Sequence, residues 1–344
     1  STKNKPYHID SPRDPRMANI SRIPPIGKNL PVIDMSALQT GIGIEELAGQ
    51  VSDACKGTSF FLVTNHGIPE DIVDSVMRAS RLFFEQPIET RMKSLKDEFH
   101  RGYLPFGTTQ YPGQGPDLKD SFDVGIDLPL DDPQVKAGLP LHGPNQWPDL
   151  KGFRGPVETY FAEIHRLGLR LLEVFALSLN INQQFFTQFY TKPTVLMRMM
   201  HYLPQSSSLS PDSIGATAHT DFGLMTILKQ DNLGGLEIQL LDGSWISAPS
   251  IPETFVVNIG QLMARWTNDI YKATTHRVIN RSNKERYSIP FFFNPNHYAK
   301  VRCIPSCQSS ERPSKYSDVL AGEHIANLVA KNQDFAKPTK DNSG

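Results

Sequence analysis

The sequence predicts a mixed α/β (α+β) fold, in which a double-stranded β-helix (jelly roll) is flanked by N-terminal helices and a C-terminal helix. Apolar residues recur at helical spacing in the first half of the chain, most clearly over residues 157–179. From Val195 onwards the pattern changes to short strands separated by turn signals such as Gly234-Gly235. Many strands at this spacing are typical of a two-sheet jelly roll. A last amphipathic segment predicts a helix near residues 320–330.

The order of these elements indicates one domain. Residues 1–28 are polar and rich in proline, which favours an extended N-terminal arm. Residues 29–335 are predicted to form a single domain with a mainly helical part (29–185), a jelly-roll core (186–300) and a C-terminal helix (301–335). Within the first part the pattern predicts a strand over 30–35, helices over 44–55 and 69–84, and a strand over 60–63 that is buried on both faces. Residues 101–150 show no sustained period and predict a long irregular stretch, which is more often functional than idle.

Composition excludes several classes of function. The chain has 344 residues, of which 39% are hydrophobic, so it can bury a large core. A net charge of −1 gives no electrostatic attraction for nucleic acid or an anionic membrane, and no apolar run approaches the ~18 residues that span a bilayer. Three cysteines favour a reducing compartment over a disulfide framework, and the polar N-terminus lacks an apolar signal-peptide core. We therefore expect a cytoplasmic protein without nucleic-acid or membrane partners; its oligomeric state stays open.

The most informative motif is His219-Thr220-Asp221, followed by His276 55 positions after the aspartate. Residues at i and i+2 of an extended strand point to the same face, so the histidine and the aspartate could contact one metal ion. A second imidazole would arrive from a strand paired much later. Two imidazoles and one carboxylate on one side of the ion are the ligand set of a non-haem Fe(II) site that activates O₂.

A second motif, Arg286-Tyr287-Ser288, follows ten residues after His276 on a segment that reads as a strand over 286–293. Arg286 and Ser288 would share a face and together bind a carboxylate. Beside an iron site, this pair would hold the far carboxylate of a 2-oxo acid. By the same alternation Phe292 and Asn294 would face the cavity and contact substrate.

Several ordered motifs resemble the isopenicillin N synthase-like 2-oxoglutarate/Fe(II) dioxygenases. They are Pro31-Val32-Ile33-Asp34, Asn65-His66-Gly67, Ala218-His219-Thr220-Asp221-Phe222-Gly223, Thr275-His276-Arg277-Val278 and Arg286-Tyr287-Ser288-Ile289-Pro290. The resemblance covers roughly residues 30–300. It implies Fe(II) on His219, Asp221 and His276, 2-oxoglutarate and O₂ as cosubstrates, and hydroxylation, desaturation or oxidative cyclisation of a small molecule in specialised metabolism. It also places Tyr202 beside the 2-oxoglutarate carboxylate that Arg286 and Ser288 bind.

The substrate side is less defined. If Tyr202 faces the cavity, Arg198 and Met200 face it too, while His201 faces away. An inward arginine is costly without a partner, so Arg198 meets either a carboxylate of substrate or cosubstrate, or a neighbouring Asp or Glu. Phe222 would add an apolar wall. The 101–150 stretch, especially residues 119–123, would cover the opening, with Phe122 contacting substrate. Members of the family often carry Asn at the position of Met200 and Asp at that of Gln261, which leaves the inherited details of the pocket in doubt.

Two other functions remain open from the sequence. An oxidase of the same fold that does not consume 2-oxoglutarate also keeps an Arg-x-Ser pair, and succinate formation would separate the two. A non-catalytic small-molecule binding protein is the alternative from a different class, and the intact set of metal ligands argues against it.

Overall fold

The computed structural model describes residues 23–27, 30–109, 117–204 and 214–333. In these ranges the strands are β1 (Val32–Asp34), β2 (Phe60–Thr64), β3 (Gly102–Leu104), β4 (Lys119–Gly125), β5 (Leu196–Tyr202), β6 (Ala216–His219), β7 (Met225–Gln230), β8 (Leu236–Gln239), β9 (Trp245–Ser247), β10 (Phe255–Ile259), β11 (His276–Val278), β12 (Arg286–Phe293), β13 (Lys300–Val301) and β14 (Val319–Leu320). The helices are α1 (Ala37–Thr40), α2 (Ile44–Lys56), α3 (Glu70–Phe84), α4 (Ile88–Met92), α5 (Pro133–Lys136), α6 (Arg154–Ser178), α7 (Gln261–Trp266) and α8 (Ala321–Gln333).

Two sheets hold most of the strands. The major sheet has the order β1-β2-β10-β7-β12-β5-β4-β3, and the minor sheet has the order β6-β11-β8-β9. Apart from the parallel β1–β2 pair, the neighbouring strands of both sheets run antiparallel. The fold is therefore mixed α/β with large sheets, as the sequence predicts.

Alternation along the central strands creates two separate cores. Phe61 and Val63 of β2 join the large core beneath helices α2, α3 and α6, whereas Phe60 and Leu62 join a smaller core between the sheets. Successive side chains of a strand point to opposite faces, so β2 is buried on both sides, as the apolar run predicts. The smaller core surrounds the cavity described below.

The major sheet corrects the expectation for residues 101–150. This stretch is not irregular throughout: β3 and β4 extend the sheet, and all seven residues of β4 are buried. Residues 119–123 therefore form a wall and not a cover over the opening. Phe122 is fully buried against Phe83 and Phe153 on the helical side of the sheet, so the expectation that it contacts substrate is wrong.

The two ends of the chain are only partly described. Most of the predicted 1–28 arm lies outside the described residues; in residues 23–27, Gly27 donates a backbone hydrogen bond to Ser247 of β9. At the other end α8 begins at Ala321, close to the predicted position. The helices of the described ranges are each too short or too polar to cross a bilayer.

A buried ion pair fixes β11, the strand that carries His276. Arg277 is fully buried, and its Nε donates to Glu237 of β8 at 2.8 Å; Arg281 donates to the other carboxylate oxygen at 2.9 Å. The Arg277 guanidinium also lies 3.9 Å from the centre of the Trp245 ring. A buried charge that loses its partner is strongly destabilising.

We predict that Glu237→Ala lowers the free energy of unfolding by about 3 kcal/mol or more, because the buried Arg277 would lose the carboxylate of Glu237. Urea denaturation measures this change. Glu158→Ala is the matched control: its carboxylate makes an exposed pair with Arg154 on α6, so a change below about 0.5 kcal/mol is expected. Similar losses in both variants would contradict the role of the buried pair.

Candidate active site

The two histidines of the candidate metal site meet through strand pairing in the minor sheet. His219, the last residue of β6, lies directly opposite His276, the first residue of β11, and the ring centres are 4.4 Å apart. Each Nδ1 is hydrogen-bonded to a backbone carbonyl two residues earlier, that of Thr217 at 2.6 Å and that of Thr274 at 3.0 Å. Because a carbonyl only accepts, both Nδ1 atoms carry a proton, so Nε2 is the nitrogen of each ring that can bind a metal.

Asp221 reaches the same point from outside the strand. β6 ends at His219, so the aspartate lies in the segment after it, and strand alternation is not what aligns the pair. Its Oδ1 is 3.6 Å from Nε2 of His219 and 3.5 Å from Nε2 of His276. The three ligand atoms therefore face one point, from which a single ion could contact all of them.

The second oxygen of Asp221 is held by the major sheet. Oδ2 accepts hydrogen bonds from the Thr226 hydroxyl of β7 at 2.6 Å and from the Asn258 amide of β10 at 2.7 Å. Burial alone would raise the pKa of Asp221, but the adjacent imidazoles, His276 most strongly, hold that pKa well below its usual range. The carboxylate is therefore ionised, with one oxygen fixed and the other facing the imidazoles. This donor set fits a divalent ion such as Fe(II).

Arg286 lies across the cavity from the histidines, in the major sheet. In the sequence its strand follows that of His276, but in the fold β12 pairs with β5 and β7, whereas β11 belongs to the opposite sheet. The Arg286 side chain is 1% exposed; its Nε donates to the carbonyl of Gly234 at 2.5 Å and one terminal nitrogen donates to Gln230 at 3.3 Å. The other terminal nitrogen, Nη1, is buried without a hydrogen-bond partner. An unpaired buried donor of this kind is suited to an anionic ligand.

A cavity of about 170 Å³ lies between the sheets, with the three candidate metal ligands and Arg286 in its wall. Its wall includes all but one of the residues that the sequence predicts for metal, cosubstrate and substrate: His219, Asp221, His276, Arg286, Ser288, Tyr202, Arg198, Met200, Phe222, Phe292 and Asn294. The exception is Phe122. His201 faces the helical side, where Asp120 binds its Nδ1 at 2.7 Å, as strand alternation predicts.

Four of these residues have partners that the sequence does not reveal. Tyr202 donates its hydroxyl to the Met200 sulfur at 2.8 Å, and the Arg286 guanidinium lies 4.9 Å from the centre of its ring. Arg198 makes a two-pronged ion pair with Asp123 of β4, at 2.7 and 2.8 Å. Of the two alternatives for Arg198, the structure shows the neighbouring carboxylate, although the side chain still lines the cavity.

The sequence interpretation missed several residues of the cavity. Thr226 and Asn258 are polar residues within apolar strands, a signal that could have identified them. Lys96 and His100 come from the segment between α4 and β3, and Lys119 comes from β4. No spacing rule connects these three to the metal motif.

Comparison with known proteins agrees with this geometry. Residues 30–150 match the family model described as non-haem dioxygenase in morphine synthesis N-terminal, and residues 193–295 match that of the 2OG-Fe(II) oxygenase superfamily. The 2-oxoglutarate-Fe(II) type oxidoreductase hxnY of Emericella nidulans is 37% identical, over 86% of this chain and 88% of its own. The 2-oxoglutarate-dependent dioxygenase citB of Monascus ruber is 36% identical, over 79% of this chain and 87% of its own.

Solved structures show the same similarity. A full-length protein of Neurospora crassa, crystallised in complex with alpha-KG and thymine, superposes with a TM-score of 0.78 and 29% identity, over 88% of this chain and 96% of that chain. A putative 2OG-Fe(II) oxygenase family protein from Caulobacter crescentus also gives a TM-score of 0.78, with 26% identity, over 88% of this chain and 98% of that chain.

We predict that Thr226→Val weakens Fe(II) binding about 10–100-fold, because Oδ2 of Asp221 would lose one of its two donors. Anaerobic calorimetric titration with Fe(II) measures the affinity. Thr254→Val is the matched control, since this buried hydroxyl of the same type donates to the Ile251 carbonyl. An unchanged affinity in a folded Thr226→Val protein would show that the hydrogen bond does not tune the metal site.

Proposed function

The chain belongs to the 2-oxoglutarate/Fe(II) dioxygenase family, and we propose that it oxidises an unactivated C–H bond of a small molecule in specialised metabolism. It is an Fe(II)- and 2-oxoglutarate-dependent oxidoreductase that uses O₂. The observation that carries the proposal is the convergence of two Nε2 atoms and Oδ1 of Asp221 on one side of a cavity whose other side holds the partly unpaired Arg286.

We assign the metal to His219, Asp221 and His276. Bound Fe(II), together with 2-oxoglutarate and O₂, supplies the oxidising chemistry. The chain keeps both imidazoles in the tautomer that ligates and keeps the carboxylate ionised. Because all three ligands lie on one side, the side that faces the cavity stays open to cosubstrates.

We assign the far carboxylate of 2-oxoglutarate to Arg286, Ser288 and Tyr202. The unpaired Nη1 of Arg286 supplies a charge-assisted hydrogen bond, and Ser288 lines the cavity from the same face of β12. Tyr202 packs its ring against the guanidinium. In this assignment the cosubstrate lies between β12 and the metal ligands.

The substrate would occupy the rest of the cavity. Met200, Phe222 and Phe292 provide apolar walls. Asn294 provides a polar contact, since its Oδ1 is buried without a hydrogen-bond partner and can accept from a substrate donor. The chain's task is to place one C–H bond near the metal and to exclude water. Hydroxylation, desaturation and oxidative cyclisation are all compatible with such a pocket.

We also propose that the two sheets form a double-stranded β-helix within a single domain of residues 29–335. The cavity supports this assignment, because its wall draws on both sheets, on the 96–101 segment and on Ile325 and Val329 of α8. In this arrangement no part of the chain completes the site alone.

We predict that anaerobic Fe(II) and 2-oxoglutarate together give the wild-type protein a weak visible charge-transfer band, the signature of the chelate. His219→Ala should abolish the band, because the metal would lose one of its three ligands. Arg286→Ala should weaken 2-oxoglutarate binding about tenfold or more through the loss of charge-assisted hydrogen bonds. Arg302→Ala, which removes an exposed guanidinium paired with Asp318, is the control and should leave the band unchanged.

Succinate formation per turnover tests the related oxidase reaction. One succinate for each oxidised substrate is expected. Iron binding without the band and without succinate would favour the oxidase that does not use 2-oxoglutarate, and a protein that binds no iron would favour the small-molecule binding protein.

A further inference from the structure

We propose that the Thr220 hydroxyl donates a hydrogen bond to an oxygen acceptor of the substrate, and that Gln261 and His324 orient its proton toward the cavity. Thr220 stands between the candidate metal ligands His219 and Asp221 and lines the cavity. The inference rests on the proposed function, because it names the substrate class of the same site. That class is a small molecule with a neutral acceptor oxygen, such as a ketone, beside the metal ligands.

Three side chains form a hydrogen-bond network that runs from α8 to the segment of the metal ligands. His324 of α8 places its Nε2 3.2 Å from Oε1 of Gln261, the first residue of α7. Gln261 in turn donates from Nε2 to Oγ1 of Thr220 at 2.9 Å. All three side chains are half-buried, so the network is partly shielded from water.

The chemistry of these groups fixes the direction in which the network donates. An amide oxygen only accepts, so Nε2 of His324 carries the proton that lies between the ring and Gln261. Burial and the nearby charge of Arg265 lower the pKa of His324 to about 4, so the ring is neutral at neutral pH and carries only this one proton. The Gln261 amide then donates to Thr220, whose oxygen is the acceptor.

The contact with Gln261 leaves the proton of the Thr220 hydroxyl unused. A hydroxyl donates one hydrogen bond and also accepts. Among the hydrogen bonds of the described residues, the Thr220 hydroxyl takes part only in the one that it accepts from Gln261. Because Thr220 lines the cavity, a ligand there can accept this proton. A donor at this point selects a substrate with an acceptor oxygen over one that presents an N–H group.

The backbone holds Gln261 in place for this role. Its N–H donates to the carbonyl of Asp221 at 2.9 Å, and the N–H of Leu262 donates to the carbonyl of Gly223 at 3.0 Å. These two bonds attach the start of α7 to the segment that carries the metal ligand. The side chain of Gln261 therefore reaches Thr220 from a fixed base, which is how a binding group is positioned before its ligand arrives.

The direction of the network depends on an amide at position 261. A carboxylate there would only accept, so the Thr220 proton would point to it and away from the cavity. The Thr220 oxygen would then present its lone pairs to the ligand and repel an acceptor. Gln261 and His324 are thus positioning residues, and Thr220 is the group that contacts the substrate.

The first test determines which nitrogen of His324 carries the proton, by ¹⁵N NMR at neutral pH on the full chain loaded with diamagnetic Zn(II). A proton on Nε2 is expected, and the signal is assigned through its loss in His324→Gln. An Nε2 without a proton would mean that Gln261 donates to His324 and accepts from Thr220, which would overturn the proposal. This measurement needs neither substrate nor turnover.

The second test compares ketones with the hydrocarbons of the same skeletons, acetophenone with ethylbenzene and α-tetralone with tetralin. Anaerobic calorimetry on protein loaded with Fe(II) and 2-oxoglutarate gives the ratio of ketone affinity to hydrocarbon affinity. Thr220→Val should lower this ratio about threefold to tenfold, because one hydrogen bond is lost. Gln261→Glu should lower it as far, because the carboxylate takes the Thr220 proton.

Two control variants should keep the ratio of the wild type. Thr220→Ser retains the hydroxyl, and Gln188→Glu places the same new charge at an exposed glutamine whose amide donates to the Phe185 carbonyl. Thr220→Val adds no charge beside Asp221, so it tests the inference even where Gln261→Glu disturbs the metal site.

The outcomes separate this inference from the proposed function. An unchanged ratio in Thr220→Val, or no binding of either ketone, would overturn the acceptor assignment. Weaker 2-oxoglutarate binding in Thr220→Val with an unchanged ratio would assign the proton to the cosubstrate and overturn it as well. The charge-transfer band is recorded in parallel. Its absence from the wild type, with a proton on Nε2 of His324 and a lower ratio in Thr220→Val, would count against the proposed function and support the inference.

Discussion

The carboxylate of Asp221 is the constraint on which the site depends, because its two oxygens contact residues of different sheets. Oδ2 is bound by Thr226 and Asn258 of the major sheet, and Oδ1 faces the imidazoles carried by the minor sheet. A buried carboxylate is costly unless every oxygen is satisfied, so the spacing of the sheets and the metal geometry are set together. The backbone also contributes: a side chain at Gly260 would overlap the carbonyl oxygen of Gly223 in the segment after Asp221.

The sequence was sufficient to predict an element and the direction of its side chains wherever one face is apolar and the other is not. Helix α6 and strand β12 lie close to the predicted bounds, and alternation along β12 correctly placed Arg286, Phe292 and Asn294 in the cavity wall. The sequence also anticipated that the second imidazole comes from a strand far along the chain, and β11 with His276 indeed pairs with β6. What the sequence does not contain is the sheet to which each strand belongs, because that depends on pairings between distant segments.

Strand β4 shows why some elements of the fold could not be predicted from the sequence. Its sequence, Lys-Asp-Ser-Phe-Asp-Val-Gly, is polar on both faces, so it carries neither an apolar run nor an alternating pattern. The three charged residues of β4 are buried all the same, because each pairs with an opposite charge: Lys119 with Asp117, Asp120 with Arg91 and Asp123 with Arg198. Phe122 was misplaced for the same reason, since a residue in an assumed loop has no assigned face.

Gln261 shows how a departure from the family pattern can preserve the local structure. Its side-chain amide donates to the Thr220 hydroxyl at 2.9 Å, between the two ligands of the metal motif, and its oxygen lies 3.2 Å from Nε2 of His324 on α8. A carboxylate at this position could accept hydrogen bonds but could not donate, whereas an amide does both. Because the next residue of α8, Ile325, lines the cavity, the bridge links the segment of the candidate metal ligands to a helix of the cavity wall.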